Sequence, residues 1–454
     1  MSQREGGESG SAADPRMRGF KTRAEVAELW NWIAATIRPL DAEEVPLFEA
    51  SGRVLAAAVH APVPVPPFDR SAMDGYALRA EETFGASAYV PAVFQCVGRS
   101  RPGQRCAAAV GVGEAVQVAT GAPMPAGADA VIPVEATRRD GDRVWVSEAI
   151  PQGRHVSRRG EDLAGGDLVL PAGRLLRPQD LGVLSAVGAA TVRVIRRPRV
   201  VILITGNELL APGTLARDFQ IPDTNSVMVQ ALVARDGGAA RVVGPLPDEE
   251  PTIRAAITGH ADDSDVLLVS GGSSAGPEDH VPGIIAGLGQ LVAHGVALRP
   301  ASPTGLGLIR QGTLPVVLLP GNPVSCLCAY DFFAGPILRR LGGRPPGWPY
   351  RCVCLPLARK LISLVGRVDY ARVRIRDGQV EPLATSGASI LSSVSRADGF
   401  VVIPPDREGY PAGAPVDVWC YDPHALDPPQ AGQPDPPPPN PDQSSRKAHH
   451  TPLG

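Results

Sequence analysis

The alternation of apolar runs and helical segments after residue 198 constrains the fold of this chain more than any other feature. The runs "RVVILIT" (199–205), "DVLLVS" (265–270) and "LPVVLLP" (314–320) are almost entirely apolar, and a helical pattern, "NSVMVQALVARDG" (225–237), lies between the first two. A continuous apolar run predicts a strand that is buried on both faces. Strands that alternate with helices predict a parallel sheet covered by helices on both faces. We therefore predict an α/β domain over residues 198–345.

The remainder of the 454 residues is predicted to form smaller β-rich units, so the fold class is multidomain α/β plus β. A chain of this length exceeds what one hydrophobic core usually supports. Short β-type runs separated by Gly and Pro predict β domains on both sides of the α/β domain. Besides the α/β domain, the predicted units are a disordered N-terminus (1–18), a discontinuous linker domain (19–60 and 154–197), an inserted small β domain (61–153), a C-terminal β domain (346–422) and a disordered proline-rich tail (423–454).

Composition favours a small molecule as the partner of the chain. The formal net charge of −3 gives no electrostatic reason to expect nucleic acid or an acidic membrane as a partner. No apolar run approaches the roughly 20 residues that span a bilayer, and the N-terminus has no hydrophobic signal region. The seven cysteines do not form a disulfide framework, which favours a reducing compartment. We expect a cytoplasmic protein; zinc at the C-x-C pairs Cys326/Cys328 and Cys352/Cys354 is a weak alternative.

Three glycine-containing loops follow three of the apolar runs directly. They are "TGNELLAPG" from Thr205, "SGGSSAGPEDH" from Ser270 and "PGNPVS" from Pro320. Ligands bind outside the carboxyl ends of strands in open parallel sheets, so we expect these loops to gather around one site. Glycines allow close approach of the backbone and helix N-termini attract anions, which favours a ligand that carries phosphate. The candidate binding residues are Ser270, Gly271, Gly272, Ser273, Pro320, Gly321, Asn322 and Pro323.

The same region carries acidic residues that suit a hard cation. Glu208 lies in the first loop and Asp279 in the second, while Asp248 precedes a helix between them. Mg²⁺ typically takes one or two carboxylates together with substrate phosphates and waters, so the pattern predicts a magnesium–phosphate site. For Asp248 the alternative interpretation is a helix N-cap.

Two further features have to be accounted for. The stretch "PVPVPPFDRSAMDGYALRA" (62–80) fits neither helical nor strand periodicity, and it is either a structural turn closed by Gly75 or irregular backbone that carries chemistry. Residues 272–276 match G-x-S-x-G, the nucleophile elbow of α/β-hydrolases, with Ser274 as the nucleophile. A hydrolase also needs a histidine well downstream, and after His294 the sequence offers histidines only near its C-terminal end. Esterase activity is therefore a minor alternative.

Taken together, the motifs resemble the molybdopterin molybdenumtransferase family, the MoeA proteins and the E domain of gephyrin. The motifs are "PPFDRSAMDGYAL", "VATGAPMPAGADAVIPVEAT", "RRGEDLAGGDLVLPAG", "ITGNELLAPG", "IPDTNS", "VSGGSSAGPEDHV" and "LPGNPVS", in this order between about residues 20 and 422. The resemblance implies an L-shaped homodimer with four domains per subunit, including a molybdopterin-binding α/β domain. It further implies a Mg²⁺-dependent enzyme that inserts molybdenum from molybdate into adenylylated molybdopterin and releases AMP. Other proteins of molybdenum cofactor biosynthesis are possible partners.

The resemblance also assigns roles to single residues. It implies that Asp74 acts at the metal-insertion site, and that the stretch from Asp69 to Ser71 shapes its loop. The family positions linked to activity further include Thr120, Asp162, Glu208, Asp248 and Asp279. In the family the site lies between the α/β domain of one subunit and the first two domains of the other. Main-chain N–H groups, Thr120, Ser273, Arg299 and Arg372 can hold the anionic substrates.

The sequence departs from the family pattern in its positive charge. Relatives commonly carry lysines in the stretch that matches "GVALRPASPTGLG", where this chain has only Arg299, and Ser389 or Ile390 stands where relatives usually have histidine. These departures keep open a second hypothesis from a different class: a paralogue that retains the fold and the dimer but acts as a scaffold, as gephyrin does for receptor tails.

Overall fold

The computed structural model describes residues 23–272 and 279–422. The elements up to residue 195 are α1 and those of two packed units. In chain order they are α1 (Val26–Thr36), β1 (Ala42–Pro46), β2 (Val59–His60), β3 (Arg70–Ser71), β4 (Gly75–Leu78), β5 (Ala92–Ser100), β6 (Glu114–Val118), β7 (Ala130–Pro133), β8 (Thr137–Asp140), β9 (Arg143–Val146), β10 (Val156–Ser157), β11 (Leu168–Leu170), α2 (Pro178–Ala186) and β12 (Thr191–Ile195).

The pairing of these strands shows one unit inserted into the other. Strands β1, β2 and β3 pair antiparallel with β12, β11 and β10, so the chain leaves this unit after β3 and returns at β10. Between those points β4 to β9 form a six-stranded sheet in the order β7-β4-β6-β5-β9-β8. Consecutive residues of its strands, such as Tyr76 and Ala77 of β4, point to opposite faces and belong to two different apolar clusters. The predicted domain boundaries, which the comparisons below do not test, stay a prediction.

The third unit contains the predicted α/β sheet. Its elements are β13 (Arg199–Thr205), β14 (Leu209–Leu210), β15 (Ile221–Pro222), α3 (Asn225–Arg235), β16 (Ala239–Leu246), α4 (Glu250–His260), β17 (Val266–Ser270), α5 (Val281–Leu288), β18 (Gly289–His294), β19 (Leu298–Arg299), β20 (Gly305–Ile309), β21 (Leu314–Leu319), α6 (Pro323–Ala329), a π-helical turn (Tyr330–Ala334) and α7 (Gly335–Leu341). The sheet order is β16-β13-β17-β21-β20-β18.

Four of its six strands are parallel, as the sequence predicts. The strands β16, β13, β17 and β21 pair parallel, whereas β20 and β18 pair antiparallel at one edge. The sequence analysis does not predict this edge. Gly305 and Gly307 lie in β20, where a Cβ atom would come within 2.8 Å of Leu318 and 2.5 Å of Ile285 respectively. Glycine-containing segments have weak strand propensity, and here close packing against the sheet and a helix makes glycine necessary.

Helices cover both faces of this sheet because its strands are apolar on both faces. In β13, Val200, Ile202 and Ile204 pack in one cluster with α3, α6 and α7. The alternate residues Val201 and Leu203 pack in a second cluster with α4 and α5. The period of two in a strand explains the division.

The first helix and the C-terminal unit pack on the α/β unit. The buried residues of α1, including Leu29 and Ile33, belong to the same cluster as α6 and α7. The C-terminal unit consists of β22 (Arg351–Pro356), β23 (Leu361–Ile362), β24 (Val368–Arg376), β25 (Gln379–Ala384), α8 (Ser392–Ser395), β26 (Gly399–Ile403), β27 (Gly409–Tyr410) and β28 (Pro415–Cys420). Strand β19 pairs parallel with β24 and so joins the α/β unit to this sheet.

The predicted disordered segments 1–18 and 423–454 lie outside the described residues. Among the helices that the structure describes, none has the length and apolar character needed to cross a bilayer.

Candidate functional site

A cavity of about 610 Å³ opens at the carboxyl ends of β13, β17 and β21. All three glycine-containing loops line it, as the sequence predicts from the position of each loop after a parallel strand. The predicted residues in its wall are Glu208, Asp248, Ser270, Gly271, Gly272, Asp279, Pro320, Gly321, Asn322 and Pro323. Ser273 and Ser274 lie outside the described residues.

The two glycines after β17 allow the backbone to turn at the floor of the cavity. Gly271 has φ of +105°, and a Cβ atom there would lie 2.2 Å from the carbonyl oxygen of Thr205. Gly272 has φ of +58°, a conformation that residues with a side chain rarely adopt. The main chain at the cavity floor therefore depends on glycine at both positions.

Asn225, at the start of α3, connects two of the loops. Its Nδ2 donates to the hydroxyl oxygen of Ser270 at 2.9 Å and to the carbonyl oxygen of Gly321 at 2.8 Å. Its Oδ1 is buried, as is Oγ1 of Thr205, and neither atom has a hydrogen-bond partner among the described residues. Because buried polar atoms are normally paired, these two atoms are available to a ligand in the cavity whose wall they share.

Asp248 is held by a reciprocal pair of hydrogen bonds with Asn207. Its Oδ2 accepts from the backbone N–H of Asn207, and its own N–H donates to Oδ1 of Asn207, both at 3.2 Å. The N-cap of α4 is Glu249, so the alternative interpretation of Asp248 as the N-cap is wrong. Its Oδ1 is buried without a partner in the described part of the chain.

The acidic residues of the cavity wall fit a magnesium ion that is held jointly with a phosphate. Within residues 23–272 and 279–422, no three acidic, His or Cys side chains lie close enough to form a complete metal site. Mg²⁺ does not need such a cluster, because one or two carboxylates with phosphates and waters complete its coordination. The unpaired oxygen of Asp248, with Glu208 and Asp279 in the same wall, supplies that donor set.

The C-terminal unit contributes one side of the cavity, which the sequence analysis did not predict. Ser389 and Leu391 line the cavity. The hydroxyl of Ser389 donates to Oδ1 of Asn322 at 2.7 Å, and the N–H of Val324 donates to the carbonyl oxygen of Ala388 at 2.9 Å. These bonds attach the loop before α8 to the start of α6.

The two arginines predicted to hold anions do not line the cavity. Arg299 forms an ion pair with the buried Asp369. Arg372 is fully buried, burial lowers its pKa, and its Nη2 donates to the carbonyl oxygen of Ser386. Arg372 therefore supports the loop that carries Ser389 from behind. Apolar packing around β24, which the sequence alone does not show, determines this position.

Three further predicted residues lie outside the cavity wall: Asp74 and Thr120 in the inserted unit, and Asp162 between β10 and β11 in the unit into which it is inserted. Oδ1 of Asp74 accepts from the backbone N–H of Thr120 at 2.7 Å and from its hydroxyl at 3.2 Å. Asp74 and Thr120 are both exposed. Asp162 is exposed as well, and its N–H donates to the carbonyl oxygen of Val65 at 3.0 Å.

The loop before Asp74 is fixed by charged contacts. Oδ1 of Asp69 accepts from the N–H of Arg159 at 2.8 Å, and Oδ2 accepts from the Arg158 guanidinium at 3.1 Å. The backbone hydrogen bond from Arg159 is the largest effect that lowers the pKa of Asp69. Ser71 is buried, with its hydroxyl bonded to the carbonyl oxygen of Met73 at 2.6 Å. The expectation of irregular backbone throughout 62–80 is therefore wrong: the stretch contains β3 and β4, Gly75 begins β4 instead of closing a turn, and Asp74 lies exposed between the two strands.

Comparison with known proteins identifies the family. Molybdopterin molybdenumtransferase 2 of Mycobacterium tuberculosis is 37% identical to this chain over 398 residues, which cover 85% of the chain and 97% of the relative. The chain belongs to the molybdopterin molybdenumtransferase family. The molybdopterin molybdenumtransferase of Synechococcus elongatus is 33% identical over 403 residues, covering 87% of this chain and 96% of the relative.

Three family models match successive parts of the chain. The "MoeA N-terminal region (domain I and II)" matches residues 24–188, the "Probable molybdopterin binding domain" matches 201–340 and the "MoeA C-terminal region (domain IV)" matches 355–421. The cavity floor, formed by the loops after β13, β17 and β21, lies within the second match.

Solved structures agree with this result. Two crystal structures of the molybdopterin biosynthesis MoeA protein from Pyrococcus horikoshii superpose with TM-scores of 0.75 and 0.73, each at 32% identity and covering 88% of this chain and 100% of the other. The comparisons confirm the resemblance and the multidomain α/β plus β fold class. They do not favour the scaffold alternative.

Proposed function

We propose that this chain inserts molybdenum from molybdate into adenylylated molybdopterin and releases AMP. The observation that carries the proposal is the cavity at the carboxyl ends of the parallel strands, which combines glycine-lined backbone with carboxylates and unpaired polar atoms. The similarity to proteins named molybdopterin molybdenumtransferase, which extends over nearly their whole length, supports it.

In this proposal the cavity binds the nucleotide-linked pterin. The backbone of Gly271 and Gly272 approaches the phosphates closely, because no side chain stands between them. Oδ1 of Asn225 and Oγ1 of Thr205, which have no partner among residues 23–272 and 279–422, accept hydrogen bonds from ligand N–H or O–H groups. Each such bond both holds the ligand and removes the cost of a buried, unpaired acceptor.

The carboxylates of the cavity wall would hold Mg²⁺ in this reaction. Asp248, through its unpaired Oδ1, together with Glu208 and Asp279, is the donor set we assign to the ion. When bound, Mg²⁺ neutralises phosphate charge and activates the phosphoanhydride. The chain's own contribution is to keep Asp248 in position, through the reciprocal hydrogen bonds with Asn207.

The exposed residues Asp74, Thr120 and Asp162 supply a second part of the site in this proposal. Release of an oxo ligand of molybdate as water requires protons, which a carboxylate such as Asp74 can transfer. Because these exposed residues are not in the wall of the cavity of their own chain, we propose that they face the cavity of the partner subunit in a homodimer. A cytoplasmic location and contacts with other proteins of the same biosynthesis complete the proposal.

The experiment that tests the reaction uses purified protein with adenylylated molybdopterin, Mg²⁺ and molybdate, and measures AMP release. We expect release that depends on both molybdate and Mg²⁺. Absence of AMP release from folded protein with these substrates would contradict the proposed activity.

A subunit-mixing experiment tests the shared site. Asp74→Asn and Asp248→Asn are prepared separately and then mixed and allowed to exchange subunits; at the Mg²⁺ concentration that gives half-maximal activity in the unchanged protein, each variant alone is expected to have low activity. If each site combines residues of two subunits, one site of every mixed dimer is intact, so activity returns to about a quarter of normal after random exchange. If both residues act within one chain, mixing restores nothing.

A further inference from the structure

A second cavity of the structure is a groove lined by tryptophans. Its wall is almost entirely apolar, unlike that of the cavity described above. Its volume is about 380 Å³, and Trp30 in its wall is 41% exposed. Besides Arg340, Ala34 and Gly347, it is lined by Trp30, Ile33, Pro336, Pro346, Trp348 and Trp419. We call this surface the tryptophan groove. An exposed concave surface of several large apolar side chains marks a binding site more often than a single exposed residue does.

The three indole rings form one continuous surface. The ring of Trp348 contacts Trp30 at a centroid distance of 5.6 Å and Trp419 at 5.0 Å, both edge to face. Nε1 of Trp30 donates to the carbonyl oxygen of Phe332 at 2.8 Å, and Nε1 of Trp348 donates to that of Asp331 at 2.9 Å. These bonds fix both rings, so the groove presents rigid apolar ring surface.

A segment rich in proline suits such a surface. Proline has no backbone N–H, so it can cover an apolar groove without burying an unpaired donor, whereas most other residues would bring one. A polyproline II helix is also extended before binding, which reduces the entropy lost on docking. Grooves lined with aromatic residues recognise proline-rich segments in this way.

The sequence of the chain itself contains such a segment after the groove residues. Residues 434–441 read "PDPPPPNP" and include the run Pro436–Pro439. Trp419, which lines the groove, is on β28, the last strand of the described residues, so the chain continues toward this segment from a strand that lines the groove. In a polyproline II conformation at about 3.1 Å per residue, the chain from Pro423 to Pro436 would span roughly 40 Å.

Charge at the rim of the groove agrees with this occupant. Arg340 lines the groove, where its guanidinium donates to the carbonyl oxygens of Ile37 and Ala34, each at 2.6 Å. The carbonyl oxygens position this cation without neutralising it. The segment carries Asp435 immediately before its proline run, so its charge is opposite to that of the cation at the rim.

We propose that residues 434–441 of the same chain dock in the tryptophan groove as a polyproline II segment. Because the segment is tethered, its effective concentration at the groove is in the millimolar range, so weak contacts are sufficient for occupancy. The tail thereby covers an apolar surface of its own chain.

The experiment compares the full-length protein with a full-length variant in which Pro436 to Pro439 are each replaced by Ser. A synthetic peptide of residues 430–444 is titrated into both proteins by calorimetry. We expect the peptide to bind the variant, and to bind the unchanged protein at least tenfold more weakly because the tethered segment competes. Absence of binding to the variant, or equal affinity for both proteins, overturns the proposal; equal affinity would mean that the groove is open to a foreign partner.

Matched variants of α1 locate the binding. Ala34 is exposed and lines the groove, whereas Ala35 is exposed on the same helix but is not part of the groove. Added to the variant with the serine tail, Ala34→Glu should lower peptide affinity at least tenfold, and Ala35→Glu should leave it unchanged. Equal effects of the two substitutions contradict docking in the groove.

Protein concentration distinguishes the chain's own tail from that of a second copy. The tail should reduce the quenching of tryptophan fluorescence by acrylamide in the unchanged protein but not in the variant with the serine tail. Because the contact is intramolecular, the reduction should be the same over a 100-fold range of protein concentration. Protection that grows with concentration, together with a larger species in sedimentation, would overturn the proposal in favour of exchange between copies.

Discussion

Asp248→Asn should separate the activity of this protein from its stability. Oδ2 of Asp248 accepts from the N–H of Asn207, and an asparagine oxygen can keep that bond. The buried and unpaired Oδ1 becomes an amide group, which removes a negative charge from the cavity wall. The substitution therefore preserves the hydrogen bonds between residue 248 and Asn207 but removes a carboxylate from the cavity wall.

The magnitudes follow from these contacts. A buried polar atom without a partner costs about 1–3 kcal/mol, and because Asp248 is half-buried we take the lower end. The amide nitrogen that replaces Oδ1 is also a buried polar atom, so most of this cost remains, and the free energy of unfolding should change by less than about 1 kcal/mol. A contact between a charged ligand and a cation is worth about 1.5–3 kcal/mol, which corresponds to about 10- to 100-fold in the Mg²⁺ concentration needed for half-maximal AMP release.

The assay measures AMP release against Mg²⁺ concentration, and urea unfolding measures stability. Glu249→Gln is the matched control, because it removes the same charge from the adjacent residue, which caps α4 and does not line the cavity. The control should leave the Mg²⁺ dependence unchanged. If Asp248→Asn keeps the normal Mg²⁺ dependence, or if it loses more than about 1 kcal/mol of stability, the assignment of Asp248 as an ion ligand is wrong.

Three further outcomes can be tested. Asp74→Asn should leave the unfolding transition nearly unchanged while it lowers the rate of AMP release about 100-fold or more, as expected of an acid–base group; a normal rate would exclude that role. Gly272→Val should abolish binding of adenylylated molybdopterin in calorimetry, because φ of +58° disfavours a branched residue and a Cβ atom would lie 3.0 Å from Val281; normal affinity with an unchanged circular dichroism spectrum would contradict this. For Asp265, burial raises the pKa, but hydrogen bonds from Arg196 and from backbone and side chain of Arg199 outweigh it and lower the pKa to about 2. Its folded-state pKa lies below the unfolded value, so its contribution is present above about pH 4 and is lost as the pH falls towards 2. Asp265→Asn should therefore cost about 1–2 kcal/mol at pH 7 and almost nothing at pH 2 in urea unfolding, and an equal cost at both pH values would contradict the argument.

The sequence determined which segments form the buried strands and where the cavity loops begin. Continuous apolar runs mark β13, β17 and β21, because a strand covered on both faces needs apolar residues at every position. The glycines that follow mark the turns, because only glycine adopts φ of +105° at Gly271 without strain. Both signals are local, so they can be read from a few consecutive residues.

Tertiary structure alone decided which polar side chains reach the cavity. Asn225 bonds both Ser270 and Gly321, and Gly321 is 96 positions away from Asn225 in the sequence. Ser389 reaches Asn322 from the C-terminal unit, 67 positions away, whereas Arg372, which looks equally suited to an anion in the sequence, is enclosed by the core and faces Ser386. Local patterns fix the period and the turns of the backbone. The partner of a polar side chain depends on how distant elements pack, and packing is set by contacts that no short stretch of sequence contains.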